Sequence, residues 1–247
     1  MAATDAVPTS EQLQDLLLES AGFTEFLLGL TTISASLLGS KEPMLCAITV
    51  ERDGAAATVA SSNEAARRLD EKQYMFDDGP CLTALRTQHS VLIDDLQGAS
   101  RWQHYANEVK GEGIRSVFAV PIATDASSRA ALNCYAHTPG TFDQATITAV
   151  QNHASSISKT LRLALRLHSP DSYPEHLRSA LQSRAVVDAA LSLIMLHNRC
   201  GRGKAMELLH VAARNSDRRL HDIATDIIHG SEPLLLNPAG QPDGTQS

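Results

Sequence analysis

The stretch Met44-Leu45-Cys46-Ala47-Ile48-Thr49-Val50, Glu51-Arg52-Asp53-Gly54, Ala55-Ala56-Ala57-Thr58-Val59-Ala60 decides the fold of the larger part of this chain. Two runs rich in β-branched and small apolar residues flank a turn around Arg52-Asp53-Gly54. An Asp-Gly pair between two such runs is a hairpin signal, because the tight turn needs residues tolerant of positive φ. Working outward, residues 11–38 read as a helix. Leu13, Leu16, Leu17, Phe23, Leu27, Leu30, Ile33 and Leu37 fall roughly on one face, and Gly39-Ser40 ends it. Asn63 to Glu71 reads as helix. Asp77-Asp78-Gly79-Pro80 opens another through Arg86, with the aspartates as caps and Pro80 in the first turn. Val91 to Asp94 is a strand, Trp102 to Lys110 a helix ended by Gly111, and Ile114 to Ile122 and Ala130 to Ala136 two further strands. The order α-ββ-α-α-β-α-ββ-α predicts an α+β domain: a mainly antiparallel sheet with flanking helices.

Residues 142–167 read as a long helix. Ile147, Val150, Ala154, Ile157, Leu161 and Ala164 are spaced 3, 4, 3, 4 and 3, a heptad seam. Packing on the N-terminal helix, or on the same helices of a second chain, would bury it. The expectation is a homodimer with this stripe as its seam.

His168-Ser169-Pro170-Asp171 reads as a linker, and Ser172 with Glu175 has capping-box form. Three helices follow: to about His197, from Gly201 to Arg214, and from a cap at Ser216 or Asp217 to Gly230. They make a small three-helix bundle over residues 172–230, after a sensory domain over 11–167. Residues 231–247 are rich in Pro, Gly and polar types and are expected to be disordered.

Composition narrows the function. The 247 residues carry a net charge of −7, against a protein that coats nucleic acid with its whole surface. Residues 174–230 hold eight Lys/Arg and six Asp/Glu, which is 8 − 6 = +2 and leaves −7 − 2 = −9 for the remainder. The basic part is therefore the helical one. No apolar run approaches the length of a membrane helix, and residues 1–10 lack the basic and apolar regions of a secretory signal. A cytoplasmic location without membrane association is expected. The cysteines, at 46, 81, 134 and 200, form no CxxC pair, and the histidines show no HxxxH or HExxH spacing. No metal site, disulfide framework or catalytic motif is expected, and no cofactor is indicated.

Two resemblances add to this reading. Residues 183–195 (Ser183-Arg184-Ala185-Val186-Val187-Asp188 onward), 204–209 (Lys204 to Leu209) and 220–224 (Leu220 to Ala224) resemble the ANTAR family, three-helix RNA-binding modules of bacterial transcription antiterminators. The chain departs from that family at Leu191-Ser192, at Met206 and at His210. Asp78-Gly79-Pro80-Cys81, Ile93-Asp94-Asp95-Leu96, Arg101-Trp102, Gly113-Ile114-Arg115-Ser116-Val117, Val120-Pro121-Ile122 and Leu132-Asn133-Cys134-Tyr135 resemble the GAF domains that precede ANTAR in actinobacterial regulators. Together they imply a non-enzymatic, signal-responsive regulator that binds stem-loop leader RNA and acts in transcription antitermination.

Arg and Lys neutralise RNA phosphates. The candidates are Arg184, Arg199, Arg202, Lys204, Arg214, Asn215, Arg218 and Arg219, most of them near the two turns between the last three helices, 199–204 and 214–219, with Asn215 suited to a base edge. The same charges also read as an ordinary solvated face. The aromatic set of the first domain, Tyr74, Phe76, Trp102, Phe118 and Tyr135, with Cys81, reads either as the lining of a pocket for a small-molecule ligand or as plain core. A different class of function stays open: a small-molecule sensor whose helical domain binds a protein partner.

Overall fold

The structure, a computed structural model, describes residues 10–38, 44–74, 78–99, 101–168, 175–216 and 218–230. The chain divides between Leu181 and Gln182 into two compact units. Of the residues singled out in the sequence, Phe76, Asp77, Ser172, Asp217 and the tail 231–247 lie outside the described residues, as do the side chains of Arg184 and Arg214.

The first unit opens with α1 (Ser10–Glu19) and α2 (Phe23–Leu38), not one continuous helix. The break at Ser20–Gly22 has a local cause. The Ser20 hydroxyl donates back to the Leu16 carbonyl, and Glu25 Oε2 accepts from the Ala21 N–H at 2.7 Å, which starts a new helix. β1 (Leu45–Arg52) and β2 (Ala55–Ser61) form the expected hairpin. Asp53 (φ 50°) and Gly54 (φ 76°) both take positive φ at its turn, as a two-residue primed turn requires.

Next come α3 (Glu64–Glu71), capped by Asn63, whose side chain accepts from the Ala66 N–H at 2.8 Å, and α4 (Pro80–Thr87) with proline in its first turn. The capping of α4 differs from the sequence expectation. Gly79 is the N-cap, at φ 155°, and the Cys81 N–H donates to Gln73 Oε1 at 2.7 Å. Asp78 instead accepts from the Gly79 N–H and the Trp102 indole N–H. A Cβ at residue 79 would sit 2.3 Å from that Gln73 oxygen, so only glycine fits there.

β3 (Val91–Ile93), α5 (Gln103–Val109), β4 (Ser116–Ile122), β5 (Ser128–Ala136) and α6 (Gln144–Leu167, capped by Asp143) complete the unit. The five strands are antiparallel in the order β2-β1-β5-β4-β3.

The sheet is the middle layer of three. Alternate residues of β1, β4 and β5, such as Ile48, Val120 and Leu132, face α1, α2 and α6. Their neighbours, such as Ala47, Val117 and Tyr135, face the side of α3 and α5. Burial of both faces explains why these strands are buried nearly end to end.

The second unit is built on α7 (Glu175–Asn198) from Gln182 onward, α8 (Arg202–Ser216) and α9 (Leu220–His229). Val187, Ala190, Leu191 and Ile194 of α7 pack with Ala205, Leu208 and Leu209 of α8 and with Leu220, Ile223, Ala224 and Ile227 of α9. Leu191, one of the family departures, is therefore a core position, whereas Ser192 is exposed. The cap of α9 is Arg219, which makes no side-chain capping bond, and Ser216 donates back to the Ala212 carbonyl instead. Gly230 closes α9 at φ 70°, the usual left-handed helix ending. Among the described residues no helix is long and apolar enough to cross a membrane, and no group of His, Cys, Asp and Glu could hold a metal ion.

Candidate functional site

The cations of the second unit form two groups. Arg199, Arg202 and Lys204 sit at the turn from α7 to α8, and Arg218 and Arg219, with Asn215, at the turn from α8 to α9. The helix between the two turns spans roughly 20 Å at 1.5 Å per residue. Arg199 occupies a left-handed position (φ 49°) and is exposed. Neither its side chain nor that of exposed Asn215 has a partner among the described residues.

The other four cations are engaged. Arg202 pairs with Asp188 of α7, Lys204 with Glu207 at 3.0 Å, Arg218 with Asp226, and Arg219 with Asp222 at 2.8 Å. The Arg219 guanidinium holds the Asp222 carboxyl below the usual carboxylate range. These pairs are solvated, since Arg202 is 51% and Arg219 67% exposed. Exposed pairs of this kind contribute about 0–1 kcal/mol, so a phosphate can displace the carboxylate at little cost. The uncapped first turn of α9 adds backbone N–H donors beside Arg218 and Arg219.

In the first unit the chemistry concentrates on a residue the sequence reading passed over. Asp70, on α3, is wholly buried. Its Oδ2 accepts from Thr58 at 2.7 Å, from the Thr49 hydroxyl, and more distantly from Tyr74 at 3.3 Å. Its Oδ1 accepts from Asn133 Nδ2 and the Tyr135 hydroxyl, both at 2.9 Å. No cation pairs with it among the described residues. Burial raises the Asp70 carboxyl above its ordinary range, and the hydroxyl donors oppose that shift.

Cys81 adjoins the cluster, with its Sγ 3.2 Å from Thr49 Oγ1 and 3.0 Å from Asn133 Nδ2. Burial, then the Asp70 charge, pushes the Cys81 thiol and the Tyr74, Tyr105 and Tyr135 phenols well above their usual values. The buried Tyr105 hydroxyl and Asn133 Oδ1 lack well-aligned partners.

The signal in the sequence was the repeated interruption of apolar alternation on one sheet face. Thr49, Thr58 and Asn133 occupy inward positions on three adjacent strands. Three buried polar groups on neighbouring strands require a shared partner.

Of the expected pocket residues, Tyr74, Cys81 and Tyr135 converge on Asp70. Trp102 is partly buried and anchors by its indole N–H to Asp78 at 3.1 Å, with the Arg101 guanidinium 4.2 Å from its ring. It holds a left-handed backbone (φ 57°), a strained state for a bulky residue. Phe118 is a correction. Strand alternation turns it to the opposite face of the sheet, where its ring lies 5.6 Å from that of Phe142.

The heptad seam is a second correction. Val150, Ala154, Ile157, Leu161 and Ala164 are buried in the core that α6 shares with α1, α2 and the sheet, with Ile147 packed partly against it. The chain covers this stripe itself, so the stripe is not available as a seam between two copies.

Comparisons with known proteins match both units. The sequence matches the GAF domain family over residues 21–162 and the ANTAR domain family over residues 175–228. No curated protein matches. Among solved structures, the GAF domain of the phosphoenolpyruvate-protein phosphotransferase from Acinetobacter is 14% identical, with a TM-score of 0.48 over 68% of this chain and 98% of that one. Its counterpart from Coxiella burnetii is 14% identical, with a TM-score of 0.49 over 64% and 93%. The free methionine-R-sulfoxide reductase from Neisseria meningitidis, solved with its substrate, is 14% identical, with a TM-score of 0.46 over 68% and 95%. The chain belongs to the GAF family, and it has the GAF-ANTAR architecture of signal-sensing, RNA-binding antitermination regulators.

Proposed function

We propose that this protein is a non-enzymatic regulator that responds to a signal and antiterminates transcription by holding a stem-loop in leader RNA. The observation that carries this reading is the succession of a GAF domain and an ANTAR bundle whose two inter-helix turns carry cations and exposed polar groups. Arg199, Arg202 and Lys204 would contact one run of phosphates, and Arg218 and Arg219 another, with Asn215 placed beside a base. Each phosphate contact releases counterions. A weak neighbouring carboxylate would have to be displaced at four of the five cations, which makes the interface salt-sensitive and tunable. Preference for one RNA fold over a competing terminator hairpin is the differential binding that antitermination requires.

A gel shift with a two-hairpin leader RNA tests the reading. Retardation at low salt, lost with Arg218→Glu combined with Arg219→Glu, is expected. Absence of retardation, or equal binding to scrambled hairpins, overturns it. Exposed Leu196 (79%) and Leu193 on α7 favour a second reading, in which the bundle meets a protein. A partner that stays bound after nuclease treatment would support that one.

A further inference from the structure

A second site of the first unit shares no residue with the Asp70 cluster. A cavity of about 460 Å³ opens between the end of β1, the start of β5 and the last turn of α6. Its walls include Arg52, Asp125, Ser127, Arg166 and His168, with Leu165 and Leu167 as an apolar side. The single carboxylate, Asp125, is already taken by two arginines: Arg166 Nε at 2.6 Å and Arg162 Nε at 3.7 Å. Arg166 uses only its Nε there. Its two terminal nitrogens have no hydrogen bond among the described residues, and the side chain is 66% exposed.

The Ser127 hydroxyl and the ring nitrogens of His168 are likewise without partners among the described residues. The His168 ring is held in place by stacking on Phe23, with centroids 5.1 Å apart. Donors thus converge on one cavity while its only acceptor carboxylate is spoken for. The carboxyl end of α6 contributes roughly half a negative charge. The guanidiniums of Arg162 and Arg166 outweigh that fraction and Asp125 together.

From this we infer that the cavity binds a small phosphate monoester, with its phosphoryl oxygens on Arg166 and Ser127 and its organic part against Leu165 and Leu167. A phosphoryl group supplies enough acceptor lone pairs for several donors at once, and Arg meets it through a pair of parallel N–H bonds. The volume exceeds that of inorganic phosphate and suits a small organic ligand. Three of the wall residues, Leu165, Arg166 and Leu167, form the last turn of α6, with His168 as its cap, just before the segment that precedes the ANTAR domain. Occupancy would tie the end of that helix to β1 and to the loop between β4 and β5.

Calorimetric titration of the full chain with ribose 5-phosphate, and separately with inorganic phosphate, tests this inference. Saturable one-to-one binding of ribose 5-phosphate is expected, with inorganic phosphate competing more weakly. Arg166→Gln, a change at an exposed side chain, should weaken binding at least about tenfold, since a charge-assisted bond is worth a decade or more in affinity. Ser127→Ala should weaken it severalfold, and Arg218→Glu with Arg219→Glu should leave it unchanged. The inference is overturned if neither compound gives saturable heat, if only inorganic phosphate binds, or if Arg166→Gln binds equally well. Loss of binding in the Arg218/Arg219 variant would put the anion on the output bundle. Displacement of ribose 5-phosphate by a leader hairpin would make an RNA phosphodiester the occupant. Both outcomes overturn it. The gel shift of Arg166→Gln with leader RNA should stay normal, so this site and the RNA reading fail separately.

Discussion

Asp70 in the GAF domain and Asp222 in the ANTAR bundle are both carboxylates held by hydrogen bonds, and they teach opposite lessons. Asp222 has a full cationic partner in Arg219, two charge-assisted bonds and a half-buried setting that solvent reaches. Asp70 has no such partner, only hydroxyl and amide donors in a wholly buried setting. By formal charge the surface pair looks stronger. By energetics the reverse holds, because water competes with every surface contact and with none in the interior. The GAF interior is thus rigidly specified, while the ANTAR surface can exchange its carboxylates for another anion.

The sharpest way to break this comparison is Asp70→Ala. It would remove the buried acceptor that Thr49, Thr58, Asn133 and Tyr135 share, leaving Thr49, Thr58 and Asn133 only their contacts with Tyr74, Cys81 and one another. A loss of about 3–5 kcal/mol is expected in urea denaturation, because buried groups deprived of partners cost about 1–3 kcal/mol each and relax in part. Asp70→Asn keeps the shape and one acceptor oxygen and should lose clearly less. Equal losses for the two variants would mean that the cavity, not the polar network, sets the cost.

Leu161→Ala extends the comparison to apolar interior. Leu161 is fully buried on α6. Truncation should cost about 2–5 kcal/mol by loss of burial and creation of a cavity. Its oligomeric state by sedimentation should match that of the unaltered protein, since the stripe is internal to the chain. A change in association state with little loss of stability would restore the stripe as an intermolecular seam.

How far these features were legible in the sequence depends on whether a local pattern encodes them. The hairpin was legible because Asp53-Gly54 states its turn type directly, and α6 because its apolar spacing is regular over six positions. What that spacing could not say is which surface covers the stripe, since a period of 3.5 fits a parent core as well as a partner helix. Phe118 was misplaced because aromatic identity suggests burial but not which face of a sheet, and register decides the face. Asp70 was missed for a related reason. It sits in a short helix rich in charged residues, Glu64, Arg67, Arg68 and Glu71, and only the sheet packed against it distinguishes it from them. The output cations were legible by residue type, and Lys204 with Glu207 and Arg219 with Asp222 lie three residues apart, but the pairing of Arg202 with Asp188 and of Arg218 with Asp226 joins helix faces and turns that only the fold brings together.

His153 offers an intermediate case between interior and surface. It is buried on α6 and 2.7 Å from Ser34 Oγ on α2, and burial lowers its pKa from 6.5 to about 4. The unfolded chain binds the extra proton first as pH falls, so this contribution is complete above pH 6.5 and is lost progressively toward pH 4. The shift amounts to roughly 3 kcal/mol at about 1.4 kcal/mol per unit. Denaturation midpoints between pH 7 and 4 should therefore fall, and His153→Gln should flatten that part of the profile. An unchanged profile would assign the acid sensitivity to other groups.

The smallest stability effect belongs to Arg219→Gln, and it is the one that separates the two domains most cleanly. Breaking the exposed pair with Asp222 should change folding stability by less than about 1 kcal/mol. The same substitution removes one positive charge from the proposed RNA interface. The slope of log affinity against log salt should therefore become shallower by about 0.7–0.9, the value for one phosphate contact. A variant that folds as well as the parent yet binds leader RNA with a shallower salt slope shows that the pair with Asp222 is exchangeable. An unaltered slope would mean that Arg219 stays with its carboxylate in the complex, and the phosphate contacts would then fall to Arg199 and the α7–α8 turn.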